Sequence, residues 1–379
     1  MPKNEKLDEE EIKKLKGNAG VSKNTLKAKR RAEEHFRGYV LSNLDKNVEE
    51  LCTEENLKHL ESVLINYFSS YRLETDELPS MSTVRATRSH IKMMVKKLSS
   101  GKIDICDSAV FTEFENVMKG LAKKLKEAGK LDVKHHELIP EKSLEKVYHL
   151  LGVLSNLFEL DENDPTYEEN LSQIPDEFQD SYHYLAQYGA IYVINTQLVR
   201  RGNEGIDKLK TDHFELLEDE NTGQQYYKKV LGEVSKNHQS DSEDLRQGGV
   251  ILFEENSYGF NPGLFFHLFL SKLDKKAPFL FMRPIRSKKS FNLRQNPDVW
   301  YEAVQKIGVN QVQKALPSLT SAACTKRATN CQIRPTAITL MKDAGIEDRK
   351  IMSFSGHKSI QTLNNYNRGP CVSQQLNMG

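Results

Sequence analysis

Cysteine and tryptophan are scarce in this chain of 379 residues, and its charges nearly cancel. The five cysteines are odd in number and widely spaced, and no two of them form a Cys-x-x-Cys pair. That distribution argues against a disulfide framework and against a structural zinc site. The first residues contain no apolar stretch like that of a secretory signal peptide. We therefore expect a reducing, intracellular compartment.

The overall composition excludes several classes of protein. The formal charge of +1 identifies no polyanionic partner, so a nucleic-acid surface would require local clustering of basic residues. No run of 18 apolar residues is present, so we expect no membrane partner. With 38% hydrophobic and 28% charged residues, the chain has the composition of a globular protein. At about 150 residues per domain, its length predicts two or three domains.

Hydrophobic spacing divides the chain into three regions. Residues 1–21 are rich in charge and poor in apolar periodicity, which predicts a flexible arm. Residues 22–130 contain four segments with helical spacing, the third beginning near Ser82 or Thr83 and the last ending at Gly129. They predict a compact all-helical domain.

The region 137–379 has a mixed pattern. A helix led by Pro140 is followed by residues 161–180, which contain eight acidic and no basic residues and predict an exposed acidic loop. Alternating patterns at 214–217 and 225–231, joined by the turn 219–223, predict a hairpin, and another strand is expected at 250–253. The remainder from residue 261 is expected to be helical. The predicted fold class is mostly α with a small antiparallel β-sheet.

Basic residues are concentrated in three places. Two groups lie on the first and third predicted helices, and the third group lies in the second domain. The side chains are Lys23, Lys27, Lys29, Arg30 and Arg31; Arg85, Arg88, Lys92 and Lys96; and Lys272, Lys275, Lys276, Arg283, Arg286, Lys288, Lys289 and Arg294. Each helical stripe alone is typical of a solvated helix face, but two unpaired basic faces in one small domain favour binding to DNA phosphates. The run 27–31 also matches a nuclear import signal, so we expect nuclear localisation.

The last fifty residues carry the most specific pattern. Cys331-Gln-Ile-Arg334 enters a predicted helix that ends at Gly345, and Gly356-His357 follows after a second short helix. Tyr366 lies nine residues after His357 on a final short helix that Ser359 can cap. Alone, such a tyrosine is usually a packing residue, and Gly-His usually ends a helix. Their order and spacing together favour a functional site.

This pattern resembles the tyrosine recombinases, whose second motif reads His-x-x-Arg, then Gly-His, then a tyrosine. The stretch Arg201-Gly-Asn-Glu204 resembles the family's Arg-x-x-Glu box. Within that family, the residues of these motifs most resemble the recombinases of Crypton transposons and their domesticated animal relatives. That likeness is carried by residues 201–205, Ser-Lys-Asn-His at 235–238, Trp300-Tyr301, Thr329-Asn330 and 356–359, and it covers roughly residues 22–368.

The resemblance implies a metal-independent DNA-cleaving site. Tyr366 would attack the scissile phosphate to form a 3′-phosphotyrosyl bond. Arg201 and Arg334 would bind the non-bridging oxygens, and His357 would donate a further hydrogen bond. Lys236 would protonate the departing 5′ oxygen, with Lys228 and Lys229 as weaker candidates. No cofactor is implied.

Two further positions have implied roles. Glu204 would orient Arg201 rather than contact DNA. Cys331 occupies the place of the usual histidine of His-x-x-Arg, and a thiol is a weak donor that cannot carry positive charge. We therefore expect slower catalysis rather than a different fold. The pair His135-His136 has no partner at ligand spacing, so no metal site is expected.

The resemblance also implies an architecture and partners. A helical core-binding domain at 22–130 and an α+β catalytic domain at 137–379 would form a clamp around double-stranded DNA. Four protomers, monomeric or dimeric when free, would assemble on two DNA sites and integrate or excise a mobile element. Two alternatives stay open: a domesticated, non-catalytic DNA-binding or chromatin protein, and DNA relaxation like that of a type IB topoisomerase.

Overall fold

The computed structural model describes residues 23–130, 137–160, 163–230, 249–285, 298–357, 359–364 and 366. The arm expected at 1–21 lies outside this set. The chain divides into two compact units, Met1–Lys134 and His135–Gly379. Helices dominate and the strands form small antiparallel sheets, which confirms the predicted fold class. None of the described helices is long and apolar enough to cross a membrane.

The described part of the first unit is helical. Its α-helices are α1 (Lys23–Leu44), α2 (Val48–Leu51), α3 (Leu57–Ser70), α4 (Met81–Leu98) and α5 (Thr112–Glu127). On α3 the buried residues are Leu60, Val63, Leu64, Tyr67 and Phe68, which follow the i, i+3, i+4 spacing of one helix face. That face joins buried side chains of the other helices in one hydrophobic core.

The start of α4 differs from the prediction by two or three residues. The helix is capped by Ser80, whose hydroxyl accepts a hydrogen bond from the Thr83 amide, rather than by Ser82 or Thr83. All three residues are good caps, so composition alone could not choose between them. Gly129, with φ of 65°, follows the last helix as predicted.

The second unit surrounds a buried helix. Its helices before the main sheet are α6 (Glu141–Glu159), α7 (Tyr167–Ser172), α8 (Asp176–Gln179) and α9 (Tyr182–Gln197). Nearly every residue of α9 from Leu185 to Asn195 is buried, as expected for a central core helix. A Cβ added at Gly189 would lie 2.6 Å from side-chain atoms of Leu151 and Phe265, so close packing on both sides requires glycine there.

The acidic stretch 161–180 is not the exposed loop that its charge predicts. Within its described part, Tyr167 and Leu171 of α7 and Ile174, which lies between α7 and α8, are buried in the core of the unit. The acidic residues lie between these buried side chains. The high number of charges therefore hid the apolar spacing in the sequence. The prediction of an exposed loop was therefore wrong.

The main sheet has the predicted hairpin and a third strand. Strands β1 (Phe214–Glu218), β2 (Gln225–Lys229) and β3 (Val250–Leu252) pair antiparallel in the order β1-β2-β3. Phe214 pairs with Lys229, and Tyr227 pairs with Ile251. Phe214, Tyr227 and Ile251 are buried, so one face of this sheet packs on the core.

The region after residue 261 is not wholly helical, contrary to the expectation. Helix α10 (Pro262–Ser271) is followed by the antiparallel strands β4 (Met282–Pro284) and β5 (Tyr301–Lys306). Tyr301 is fully buried, and its hydroxyl donates to the His183 carbonyl. The two strands are too short and too far apart in sequence for their alternation to have revealed the pairing.

The chain then continues as helices. These are α11 (Val309–Gln313), α12 (Ala315–Ala322), α13 (Asn330–Asp343), α14 (Asp348–Ser355) and α15 (Ile360–Asn364). A small apolar cluster joins the last three to the segment after α9; it consists of Val199, Ala337, Ile338, Ile351 and Leu363, with Met341, Met352 and Tyr366 against it. The candidate site borders this cluster, because Tyr366 packs against it.

Candidate active site

The loop after α9 holds the Arg201 motif in a tight turn. The Asn195 amide donates to the Gly202 carbonyl at 2.9 Å, and Arg200 Nη2 donates to the Glu204 carbonyl at 2.8 Å. Gly205 has φ of 70°, a left-handed conformation that suits glycine. The half-buried Arg201 side chain lies 3.4 Å from the Glu204 carboxylate. Glu204 thus forms an ion pair with Arg201, and its orienting role stays a prediction.

Asn330 joins this loop to the start of α13. Its amide nitrogen donates to Asn203 Oδ1 at 2.7 Å and to the Val312 carbonyl at 2.6 Å, and its oxygen accepts from the Leu316 amide at 2.9 Å. A Cβ added at Gly202 would lie 2.3 Å from the Asn330 carbonyl oxygen. The first arginine motif and the helix that carries the second are therefore in direct backbone contact.

Arg334 is buried beneath this junction. Its side chain projects from the second turn of α13 and is 7% exposed. Nη1 donates to the Val199 carbonyl at 2.8 Å, and Nη2 donates to the Ser355 carbonyl at 2.6 Å. Both partners are neutral, so they orient the guanidinium without cancelling its charge. Val199 has φ of 47°, which costs a β-branched residue about 1–3 kcal/mol.

His357 lies beside Arg334. Helix α14 ends at Gly356 in the left-handed conformation, with φ of 65°, and the next residue turns back toward α13. The ring nitrogens of His357 lie 3.3 Å from Arg334 Nη2. Burial and then the positive charges of Arg334, Arg201 and Lys342 lower the pKa of His357 to about 4. The imidazole is therefore neutral near pH 7.

Tyr366 packs against the same histidine. It lies two residues after α15 ends, and its amide donates to the Leu363 carbonyl. The rings of Tyr366 and His357 meet edge to face with centroids 5.3 Å apart. The tyrosine is only partly buried. It therefore borders the apolar cluster without being sealed within it.

The predicted catalytic residues have different positions relative to this site. Arg334, His357 and Tyr366 are in contact or adjacent, and the charge of Arg201 acts on His357. Cys331 is exposed on α13, one turn before Arg334. Lys236 lies outside the described residues. Of its weaker alternatives, Lys228 is an exposed residue of β2.

Sequence reasoning missed three contributors to the site. Asn330 was noted only for its resemblance to Crypton recombinases, Val199 supplies a carbonyl, and Ser355 contacts both Arg334 and His357. Carbonyl contacts leave no signal in residue type. For Ser355, the only available signal was a hydroxyl residue two positions before a candidate catalytic histidine.

The basic stripe on α4 is partly neutralised within its own unit. Arg88 forms an ion pair with Glu115, and Lys92 lies 2.9 Å from Asp104. The expectation of an unpaired face was wrong for these two side chains. Arg85 and Lys96 on the same helix are exposed.

On α1, the expected basic face is also mixed. Arg30 lies 2.7 Å from Glu34, while Lys27 and Arg31 are exposed and form no ion pair among the described residues. Lys29 lies 3.8 Å from Glu33. Lys23 lies in the helix, and its side chain is outside the described set.

The basic cluster of the second unit is less uniform than its sequence suggests. The Lys272 ammonium lies 5.4 Å from the Trp300 ring centre, and burial lowers the pKa of Lys272. Arg283 donates to Gln305 at 2.8 Å. Lys275 and Lys276 are exposed. The remaining members lie outside the described residues: Arg286, Lys288, Lys289 and Arg294.

Comparisons with solved structures give neighbours of low identity. The Tn1549 transposon integrase in complex with transposon right end DNA has 11% identity and a TM-score of 0.45, over 97% of this chain and 96% of that one. The lambda integrase dimer bound to a COC′ core site has 12% identity and a TM-score of 0.44, over 96% and 78%. XerA recombinase has 14% identity and a TM-score of 0.34, over 97% and 94%. No protein-family model and no curated protein matches the chain.

Within the described residues, no group of three or more His, Cys, Asp or Glu side chains is arranged to hold a metal ion. The charged groups that lower the pKa of His357 are Arg334, Arg201 and Lys342; Arg201 is paired with Glu204, and Lys342 lies 3.3 Å from Asp348. Such a group suits an anionic ligand.

Gly202→Ala tests the contact between the loop and α13. The new Cβ would overlap the Asn330 carbonyl, so we expect a loss of about 1–3 kcal/mol in the free energy of unfolding, measured with urea. The control is Gly152→Ala on α6, where a Cβ would meet nothing within 4 Å and should add roughly 0.5–1 kcal/mol. If Gly202→Ala unfolds like the wild type, the close contact is wrong.

Stability should also depend on the protonation of His357. Its pKa falls from 6.5 to about 4 on folding, so the unfolded chain binds more protons between those values. The stability due to neutral His357 is therefore complete above pH 6.5 and is lost as the pH falls toward 4, at most on the order of 3 kcal/mol. Urea unfolding across this range should show a shallower pH dependence for His357→Gln. Equal slopes for variant and wild type would contradict the buried, neutral assignment.

Proposed function

We propose that the chain is a site-specific DNA recombinase that cuts and rejoins strands through a 3′-phosphotyrosyl intermediate. The observation that supports this most strongly is that His357 contacts both Arg334 and Tyr366 and that the charge of Arg201 also acts on it. These residues come from three separate stretches of the sequence. A packing role explains one of them, but it does not explain cationic groups assembled beside a partly exposed phenol.

The proposed binding step places a DNA phosphate between the two arginines. Arg334 is already oriented by the Val199 and Ser355 carbonyls, and Glu204 orients Arg201. Guanidinium groups held in this way can donate to the non-bridging oxygens at little further entropic cost. The same charges would stabilise the additional negative charge of the pentavalent transition state.

The proposed cleavage step then uses Tyr366 as the nucleophile. Its Oη–P bond forms as the bond from phosphorus to the 5′ oxygen breaks, and the departing oxygen takes a proton, for which we propose Lys236 as the donor. The 3′-phosphotyrosyl ester retains the energy of the phosphodiester, so attack by a 5′ hydroxyl can reverse the step without ATP. Cys331, exposed beside Arg334, would contribute less to phosphate binding than a histidine.

Integration or excision of a mobile element of the Crypton type is the finer part of the proposal. It includes a homotetramer on two double-stranded DNA sites, action in the nucleus and no cofactor. These points are supported by the amino-acid sequence of the motifs at residues 201–205 and 356–359 and by the basic run 27–31. The helical unit would contribute phosphate contacts through its exposed basic side chains.

Covalent capture tests the reaction directly. We expect the full chain, incubated with a nicked suicide duplex carrying an element end, to form a protein–DNA adduct that resists denaturation. Tyr366→Phe should abolish the adduct because it removes the nucleophilic oxygen. Tyr184→Phe, a half-buried tyrosine of the same unit, is the matched control and should retain it.

The other outcomes select the alternatives. DNA binding without an adduct on any element end would contradict the enzyme proposal and favour a non-catalytic binding protein. Relaxation of a supercoiled plasmid lacking element ends, abolished by Tyr366→Phe, would favour activity like that of a type IB topoisomerase.

DNA affinity should depend on Lys96 more than on Lys92. Both lie on α4 four residues apart, but Lys96 is exposed whereas Lys92 is paired with Asp104. If Lys96 contacts a phosphate, Lys96→Gln should reduce the slope of log affinity against log salt by about 1. Lys92→Gln is the control and should change the slope less. Equal effects in a fluorescence-anisotropy titration would contradict this assignment.

A further inference from the structure

The hydroxyl of Ser355 has two close neighbours that together identify its proton. Ser355 Oγ lies 2.6 Å from the Ile351 carbonyl oxygen and 2.6 Å from His357 Nδ1. A carbonyl oxygen can only accept, so the single hydroxyl proton must be donated to Ile351. The contact with Nδ1 is then a hydrogen bond only if Nδ1 carries a proton and donates it to Oγ.

This assignment determines the state of the other ring nitrogen. A neutral imidazole carries one proton, and burial together with the surrounding positive charges keeps His357 neutral at pH 7. Nε2 therefore carries the lone pair, and Arg334 Nη2, which can only donate, lies 3.3 Å from Nε2 and 3.3 Å from Nδ1. The donor role implied for His357 by the family resemblance is not available to Nε2 in this state.

We propose that Ser355 is a positioning residue that fixes the Nδ1–H tautomer of His357 and so makes Nε2 the proton acceptor of the site; the catalytic consequence rests on the proposed recombinase function. As Tyr366 Oη bonds to phosphorus, its proton passes to the Nε2 lone pair. The resulting imidazolium keeps one N–H on Ser355 and gains a second, which can be donated to a phosphate oxygen. The P–O5′ bond breaks, and the leaving oxygen is protonated as described above.

The surroundings of the serine favour this role over simple packing. Ser355 is 3% exposed, and its carbonyl also accepts the Arg334 hydrogen bond, so one residue orients the arginine and the histidine together. The groups that act on the imidazole are the cations Arg334 and Arg201, Lys342 of α13, and the Tyr366 ring. None of these groups offers Nδ1 the hydrogen-bond acceptor that Ser355 supplies.

Nitrogen NMR of the DNA-free full chain tests the tautomer. In protein labelled with ¹⁵N-histidine, the His357 signals are identified by their loss in His357→Gln. We expect the protonated nitrogen of wild-type His357 to couple to the Cε1 proton but not to the Cδ2 proton, which marks Nδ1–H. Ser355→Ala should shift the population toward Nε2–H, and Ser355→Thr should restore Nδ1–H because it retains a hydroxyl.

The control is Ser353→Ala, a half-buried serine on the same helix, which should leave the tautomer unchanged. Nε2–H in wild-type protein would overturn the proposal, and this outcome is read from the wild type once the His357→Gln comparison has assigned its signals, without any serine variant. The adduct assay provides the second readout, with an expected loss of about 10- to 100-fold in cleavage rate for Ser355→Ala and recovery in Ser355→Thr. Nδ1–H without any adduct would leave the serine–histidine assignment standing and would contradict only the recombinase function.

Discussion

A buried guanidinium held by two backbone carbonyls is the interaction on which the rest of the site depends. The carbonyls of Val199 and Ser355 come from segments far apart in sequence, and Arg334 joins them from α13. Because neither carbonyl carries a full charge, the positive charge remains effective at short range. It contributes to the lowered pKa of His357, whose ring packs against Tyr366. Val199 has a left-handed backbone conformation, which is unfavourable for valine but directs its carbonyl toward Arg334.

Asn330 gives this arrangement its rigidity. Its side chain makes three hydrogen bonds, to the Arg201 loop and to the segments at Val312 and Leu316, so one side chain fixes the positions of all three segments. The missing side chain of Gly202 allows the loop to approach the Asn330 carbonyl. A hydrogen-bonded amide with no spare donor tolerates little displacement when it is buried. The two arginines are therefore positioned by one network rather than by independent loops.

Much of the fold could be predicted because its helices follow apolar periodicity, as on α3, and because the β1–β2 hairpin has a recognisable turn. The prediction was wrong where charge or a long sequence separation hid the apolar pattern. Charge in residues 161–180 concealed the anchors Tyr167 and Leu171, and β4 and β5 pair across a long separation that leaves no local signal. For the site, motif spacing identified the charged and nucleophilic side chains. It could not identify the carbonyl of Val199 or the hydroxyl of Ser355, because their contributions depend on backbone geometry that exists only in the folded chain.

The electrostatics of the pocket explain why a neutral histidine is useful there. Arg201, Arg334 and Lys342 all disfavour a further positive charge, so His357 is neutral near pH 7. In the proposed reaction, a bound phosphate would offset those charges and raise the affinity of Nε2 for a proton as Tyr366 releases one. Proton uptake by His357, which these cations disfavour in the empty site, would therefore become more favourable in the occupied one. In the proposed reaction, the negative charge of the substrate would therefore link phosphate binding to activation of the nucleophile, with a neutral imidazole as the base.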